Sequence, residues 1–253
     1  MSNVPTTHSR FQGLDWYGSF ERITLVGAGS IGSWAAYFLA KMGHSLFIFD
    51  DDKVEEVNLA GQNFFLKDVG LRKVNAVCHN LIDHNALNVY PIVARFTSDT
   101  HIDTDHVVLA TDNITSRKEG FDVWLRQMEN YAFMANAKPS EFMHMRRLYI
   151  DARLNPEHFQ IFCVPFYTQN NLFDQYTLPS IEKYKESLFE EDEVPDLPCS
   201  AKYTSHTSAM VGSMIASIFA NFMTNKMQGE DVREVPFLTE MTLPLMLLET
   251  QNI

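Results

Sequence analysis

Cysteine is scarce in this chain of 253 residues. Its three cysteines, Cys78, Cys163 and Cys199, lie far apart, and no two of them form a CxxC pair. A four-cysteine zinc site therefore cannot be assembled from one chain, and we expect no bound zinc. A small, odd number of cysteines is typical of proteins in a reducing compartment, which predicts a cytoplasmic location.

Basic residues are also few. The chain has 20 Lys and Arg against 32 Asp and Glu, so its net charge is −12. Because proteins that bind nucleic acid non-specifically need a surplus of positive charge, a nucleic-acid partner is disfavoured. No uninterrupted apolar run reaches about 18 residues, and residues 1–10 have no apolar core of a secretory signal, so we expect no membrane association.

Short apolar runs alternate with helical patterns in the first part of the chain. Strands are predicted at residues 23–26, 46–49, 89–94 and 106–110, and helices at 33–42, 71–82 and 114–131. This alternation predicts an α/β fold, a doubly wound, Rossmann-like and mostly parallel sheet with helices on both faces. We expect an N-terminal arm at residues 1–20 and a nucleotide-binding domain at residues 21–165.

Residues 166–253 are expected to complete the same domain. Paired antiparallel strands are predicted at 148–152 and 159–165, a polar stretch at 167–198, a helix at 208–223 and strand pieces at 236–248. The polar stretch is acidic from residue 182 to 196, which is typical of a solvated surface loop; a mobile lid or crossover loop is the alternative. These strands would extend the sheet in antiparallel fashion.

A G-x-G-x-x-G motif follows the first predicted strand directly. Its glycines are Gly27, Gly29 and Gly32. The first permits a tight turn, the second lets a phosphate approach the backbone, and the third lets helix and strand pack closely. Asp50 ends the next strand, where a carboxylate can accept hydrogen bonds from a ribose. The motif predicts a nucleotide site and by itself is typical of NAD or FAD; the alternative is glycines that serve packing alone.

Further polar residues fit the activation of a carboxylate by ATP. That reaction needs a cation at the phosphates, a carboxylate for magnesium, and donors that stabilise the charge developing on the phosphate oxygens. Lys73 and Asp112 match the first two requirements, and Asn58 and Gln62 match neutral polar clamps.

The ordered motifs resemble the ThiF/MoeB/ubiquitin-activating (E1-like) superfamily over residues 10–165. They read Gly27-Ala28-Gly29-Ser30-Ile31-Gly32, Asp50-x-Asp52, Asn58-Leu59-x-x-Gln62, Gly70-x-x-Lys73 and Thr111-Asp112-Asn113-x-x-x-Arg117. The resemblance implies an ATP- and magnesium-dependent adenylyltransferase that acts on the C-terminal carboxylate of a ubiquitin-like protein or peptide. It also implies a homodimer.

The resemblance assigns roles to individual residues. Asp50 and Asp52 would contact the ribose and adjoining groups of the nucleotide, whereas Asn58, Gln62 and Lys73 would contact the phosphates. Asp112 would hold magnesium. The remaining nucleotide-binding residues would be Gly27, Gly29, Ser30, Ile31, Gly32 and Asn113.

One departure from the family pattern concerns the phosphates. The family usually has arginine before the glutamine of its N-L-x-R-Q motif, and this chain has Gly61 there. Arg10 from a partner subunit is our candidate for the missing cation, with Arg72 as a second candidate. The loss leaves open a degenerate subunit that binds nucleotide but reacts slowly.

Cys199 is a candidate catalytic thiol, since a thiolate can attack an acyl adenylate with AMP as the leaving group. An inert cysteine is the alternative, because neighbouring acidic residues raise the pKa of a thiol. Two other activities stay open: an NAD-dependent oxidoreductase, and an enzyme that activates a carboxylate on tRNA, although the net charge speaks against the latter. Trp34, on the first predicted helix, is expected to pack on the sheet.

Overall fold

The computed structural model describes residues 11–18, 20–84, 88–137, 145–169, 172–173, 177–188 and 204–253. Nine strands in these ranges form one sheet in the order β3-β2-β1-β4-β5-β6-β8-β9, with β7 paired to β6. Their bounds are β1 Arg22–Val26, β2 Ser45–Phe49, β3 Val89–Ile92, β4 His106–Leu109, β5 Arg146–Asn155, β6 His158–Gln169, β7 Leu172–Phe173, β8 Leu238–Thr242 and β9 Leu247–Gln251.

The sheet is parallel in one half and antiparallel in the other. Strands β3, β2, β1, β4 and β5 pair in parallel. From β5 onwards every pair, including the predicted hairpin of β5 and β6, is antiparallel. The predicted Rossmann-like sheet with an antiparallel extension is therefore confirmed.

Five helices in the described ranges cover the sheet. They are α1 Ser30–Lys41, α2 Lys73–Ile82, α3 Ile114–Ala137, α4 Thr177–Glu186 and α5 Ser205–Gln228. Apolar side chains of α1, α2 and α5 share a core with one face of the sheet. Those of α3 and α4 share a core with the other face. Both faces of the central strands are thus buried, which explains why Leu25 and Val26 of β1 and Val107, Val108 and Leu109 of β4 are consecutive apolar residues.

Helices α1 and α5 approach each other closely because Gly212 of α5 has no side chain at the point of contact. A Cβ added to Gly212 of α5 would lie 2.8 Å from Trp34 Cβ and 2.9 Å from the backbone nitrogen of Ala35. By length and composition alone, helix α5 could cross a membrane, because the mean hydropathy of its most apolar 18-residue window is 1.2. Since 61% of that window is buried inside the protein, the helix has the packing of a core helix.

Helix α4 corrects the interpretation of the acidic run at residues 182–196 as a solvated surface loop, because its first residues belong to the helix. Residues Thr177–Glu186 are helical, and Ile181 and Tyr184 are buried against the sheet. The acidic composition around residue 182 hid this apolar face, whose residues are only three apart. The rest of the acidic run, from residue 189, lies outside the described residues.

Candidate nucleotide site

The candidate site lies at the carboxyl edge of three adjacent parallel strands. β1 runs into the glycine motif, β2 ends before Asp50, and β4 ends before Thr111 and Asp112. Because β2 and β4 flank β1 on opposite sides, the chain reverses its winding direction here. Open α/β sheets bind their ligands in the crevice at such a point.

The glycine motif forms the tight turn that its spacing predicts. Gly27 has φ +92° and donates its N–H to Phe49 O at 2.8 Å. A Cβ on Gly32 would lie 1.9 Å from Gly27 O, so only glycine fits this crossing. Around Gly29, in contrast, an added Cβ would meet nothing within 4 Å. The motif therefore leaves open space above Gly29, at the N-terminus of α1, where backbone N–H groups can receive anionic oxygens.

Asp50 is tied to this turn by its carboxylate. Its Oδ2 accepts the N–H of Ala28 at 2.8 Å, and its Oδ1 accepts the N–H of Asp52 at 2.8 Å. Burial raises the pKa of Asp50, while these two hydrogen bonds and the nearby charge of Lys73 oppose the rise. The carboxylate thus lies at the edge of the glycine loop, where a ribose hydroxyl can reach it.

Lys73 starts α2 and is held against Asp52 in two ways. Its Nζ lies 2.8 Å from Asp52 Oδ2, and its backbone N–H donates to Asp52 O at 3.0 Å. Lys73 is only 8% exposed. A largely desolvated ammonium group therefore stands next to the turn that carries Asp50 and Asp52. Arg72, the second candidate for the missing cation, instead donates to the carbonyl of Asp51.

The loop that carries Asn58 and Gln62 is fastened to α1. Trp34 Nε1 donates to Gly61 O at 3.2 Å, and the N–H of Asn63 donates to Ser33 Oγ at 3.0 Å. Trp34 therefore forms a hydrogen bond with this loop. The sequence predicted only that Trp34 packs on the sheet and did not predict this contact. Gln62 is buried, and the side chain of Asn58 accepts the N–H of Glu55 at 2.9 Å.

Asp112 and Asn113 have different environments at the end of β4. Asp112 is exposed, with Asn113 Nδ2 3.4 Å from its Oδ1. Asn113 Oδ1 accepts the N–H of Ser116 at 2.8 Å and so caps α3. Thr111 Oγ1 is buried and has no hydrogen-bond partner among the described residues. An exposed carboxylate beside an unsatisfied hydroxyl is a donor set that suits magnesium and its water ligands.

Two predicted residues cannot be placed. Arg10 and Cys199 both lie outside the described residues, so their roles stay predictions. Cys163, in contrast, is buried in β6, and burial raises the pKa of its thiol; Cys78 is half-buried in α2. Both have the inert environments expected of core cysteines.

Sequence reasoning missed some contacts that organise the site. Trp34 carries no motif of its own, and Thr111 was read only as part of the motif around Asp112. Arg117 was noted in the same motif without a partner; it is buried and contacts both Thr111 O and Asp151. Spacing in the sequence does not reveal such pairs, because Arg117 and Asp151 lie on different elements.

Solved structures share this fold. The structure of PaaA aligns with a TM-score of 0.64 and 13% identity, covering 98% of this chain and 66% of PaaA. The structure of E. coli MccB with ATP aligns with a TM-score of 0.55 and 15% identity, covering 94% of this chain and 64% of MccB. The structure of E. coli MccB with AMPCPP and MccA aligns with a TM-score of 0.58 and 16% identity, covering 99% of this chain and 72% of MccB. The chain thus spans about two thirds of the length of these proteins.

Curated proteins gave no match to this sequence. The profile of the ThiF family, in contrast, matches residues 19–250, which include every motif described above except the N-terminal arm. Both the match and the shared fold span nearly the whole chain, and this chain therefore belongs to the ThiF family.

Proposed function

We propose that this protein activates a carboxylate as an acyl adenylate, using ATP and magnesium and releasing pyrophosphate. The observation that carries the proposal is the buried Lys73, paired with Asp52 beside the glycine loop. A fixed cation at this place is what phosphoryl chemistry requires, because charge grows on the phosphate oxygens in the transition state. Transfer of a hydride from a nicotinamide gives such a cation no comparable task.

Each described residue has a distinct task in this reaction. The bound nucleotide would supply an electrophilic α-phosphorus and pyrophosphate as the leaving group. Asp50 accepts hydrogen bonds from ribose, and the N–H groups at the start of α1 receive anionic oxygens. Lys73 stabilises the developing negative charge. Asp112 offers oxygen ligands to magnesium.

The substrate we propose is the C-terminal carboxylate of a peptide or a small ubiquitin-like protein. Its support is the family resemblance and the likeness to MccB, whose structures include complexes with MccA. A later transfer of the acyl group to Cys199 is a further proposal. That step would form a thioester and release AMP, whereas formation of an amide would need no cysteine.

Pyrophosphate exchange tests the proposed activity directly. Wild-type protein with magnesium and a panel of C-terminal peptides should incorporate labelled pyrophosphate into ATP. The Asp112→Ala variant should lose this exchange while keeping its melting temperature, because Asp112 is exposed and supports no packing. Exchange at the wild-type rate in that variant would contradict the assignment of Asp112.

Nucleotide choice separates this proposal from the oxidoreductase alternative. Calorimetry should detect binding of ATP that depends on magnesium, and little binding of NADH. Micromolar affinity for NADH without a response to ATP would favour the oxidoreductase. If ATP binds but no carboxylate supports exchange, the degenerate subunit suggested by Gly61 becomes the better explanation.

We also propose a homodimer in which Arg10 of one subunit reaches the phosphates of the other. Exposed apolar side chains next to the site support a protein contact there; they are Val57, Phe65, Leu66, Val69 and Leu71. An Arg10→Ala variant should be slow in adenylation. Mixing it with Lys73→Ala should restore part of the activity, because one site in the mixed dimer keeps both cations. Light scattering that reports only monomers would overturn the dimer.

A further inference from the structure

A buried network of charged groups lies next to the candidate site, and its central carboxylate has no role in the reaction described above. Its centre is Asp151 on β5, which is fully buried. Oδ1 of Asp151 accepts from Arg117 Nη1, and Oδ2 accepts from Arg153 Nε at 2.9 Å and from the Tyr184 hydroxyl at 3.0 Å. A buried carboxylate with two guanidinium partners would be costly to disturb, since removing one partner strands the others.

One arm of the network ends at the magnesium side of the site. Arg117 donates through Nη2 to Thr111 O and through Nη1 to Ala152 O, the latter at 3.3 Å. Thr111 directly precedes Asp112. The guanidinium therefore holds the main chain at the point where the exposed carboxylate of Asp112 leaves the sheet.

The other arm ends at α4. Arg153 donates to Ser187 O and to Ser187 Oγ, each at 3.0 Å. Burial raises the pKa of the Tyr184 hydroxyl well above its ordinary value, so this group remains a donor to Asp151. This arm fastens the end of α4 to β5, away from Asp112, and offers a matched control.

We propose that Asp151 is a positioning residue, which orients the Arg117 guanidinium against Thr111 O and thereby fixes the position from which Asp112 binds magnesium. The inference rests on the proposed function in assigning magnesium to Asp112. The residues that bind a metal are commonly oriented by other groups that hydrogen-bond to them. Losing such an orienting group typically weakens metal affinity or activity by about 10- to 100-fold. Here the orienting group acts through the backbone next to the ligand.

Three variants test the proposal. Asp151→Asn removes the charge that holds Arg117, and Arg117→Lys keeps a cation but loses the fork that reaches both Asp151 and Thr111. Tyr184→Phe removes one hydrogen bond to Asp151 on the α4 side and keeps the ring. Amide hydrogen exchange over residues 110–117 in nucleotide-free protein, and the magnesium concentration that half-saturates ATP binding by calorimetry, are the two readouts.

The proposal expects Asp151→Asn and Arg117→Lys to speed amide exchange over residues 110–117 by about tenfold or more, and to raise half-saturating magnesium about 10- to 100-fold. Tyr184→Phe should change neither. If Asp151→Asn does not fold, Arg117→Lys carries the same expectation.

Wild-type values of both readouts in a folded Asp151→Asn or Arg117→Lys protein would overturn the proposal. Equal changes in Tyr184→Phe would also overturn it, because they would mean that any weakening of the network has the same effect. If the wild-type protein shows no magnesium-dependent ATP binding, the proposed function fails. The amide exchange still decides in that case whether Asp151 holds the segment before Asp112.

Discussion

Lys73 and Asp52 are joined by an ion pair of 2.8 Å between side chains and by a hydrogen bond of 3.0 Å between backbones. The backbone bond fixes the start of α2 against the turn after β2. The ion pair then directs the ammonium group of Lys73 towards that turn. Since Asp52 is largely exposed, the pair itself contributes little to stability, and we attribute its importance to the orientation of Lys73.

A double-mutant cycle separates the roles of these two residues. Lys73→Ala should reduce pyrophosphate exchange about 100-fold, the usual effect of losing one donor to the transition state. Asp52→Asn should reduce it less, and the double variant should be no slower than Lys73→Ala if Asp52 acts only by orienting Lys73. Additive losses would mean that Asp52 contacts the nucleotide independently. Lys185→Ala, which removes an exposed lysine of α4, is the matched control and should be neutral.

Gly61 offers a gain-of-function test. Its φ of −126° is open to any residue, so glycine is not needed for the backbone. Gly61→Arg should restore the donor found in the family pattern and raise the rate of adenylation. The hydrogen bond from Trp34 goes to the backbone oxygen of Gly61 and should survive the substitution. A stable variant with an unchanged rate would indicate that another cation already serves the phosphates.

Trp34→Phe should loosen the loop that carries Asn58 and Gln62. The variant keeps an aromatic ring but loses the N–H that donates to Gly61 O. A typical net loss of about 0.5–1.5 kcal/mol per hydrogen bond corresponds to a roughly two- to tenfold rise in KM for ATP. Steady-state exchange kinetics measure this rise. Ser33→Ala, which removes the other fastening of the loop, should act in the same direction.

Two glycines of the motif should respond differently to alanine. Gly32→Ala places a Cβ 1.9 Å from Gly27 O, and such overpacking should lower the free energy of unfolding by about 1–3 kcal/mol or more. Gly29→Ala meets no protein atom within 4 Å, so stability should change little while nucleotide affinity falls. Urea unfolding and ATP titration of both variants measure these effects. A Gly29→Ala protein with wild-type affinity would exclude phosphate from the space above this residue.

His106 should make the stability depend on pH. Burial lowers its pKa, the nearby Glu21 carboxylate opposes this, and the charge of Lys226 adds to the lowering. In the unfolded chain the imidazole regains a pKa near 6.5 and binds protons first, so stability should fall as pH drops below about 6.5. Above that pH His106 should have no effect.

The comparison of His106→Gln with wild type measures this contribution. Glutamine can accept the N–H of Leu148 and donate to Glu21, as His106 does, but it does not titrate. The variant should therefore lose less stability than wild type between pH 6.5 and 5 in urea unfolding. If the free energy of unfolding falls equally in His106→Gln and in wild type between pH 6.5 and 5, the prediction is contradicted.

The sequence was most informative where local patterns decide the structure. Buried strands such as β4 are predicted from short apolar runs, and the turn at Gly27 is predicted from the spacing of the glycines. Helix α4 was missed because its buried face has only two apolar residues, Ile181 and Tyr184, beside the polar Thr177 and Ser180 and among charged neighbours. The site could be located from its motifs, but Asp151 could not be linked to it. Its partners Arg117, Arg153 and Tyr184 meet only after α3, β5 and α4 have packed together.

Local and distant strand pairs of the sheet should form at different rates during folding. Only Pro156 and Glu157 separate β5 from β6, so this hairpin closes with little loss of chain entropy. The pairing of β1 with β4 joins segments that are far apart in the sequence, and such contacts form slowly. The approach of Asp112 to the glycine turn depends on that distant pairing. We therefore expect a refolding chain to form the β5–β6 hairpin early, and to gain the β1–β4 pair, and with it the capacity to bind nucleotide, late.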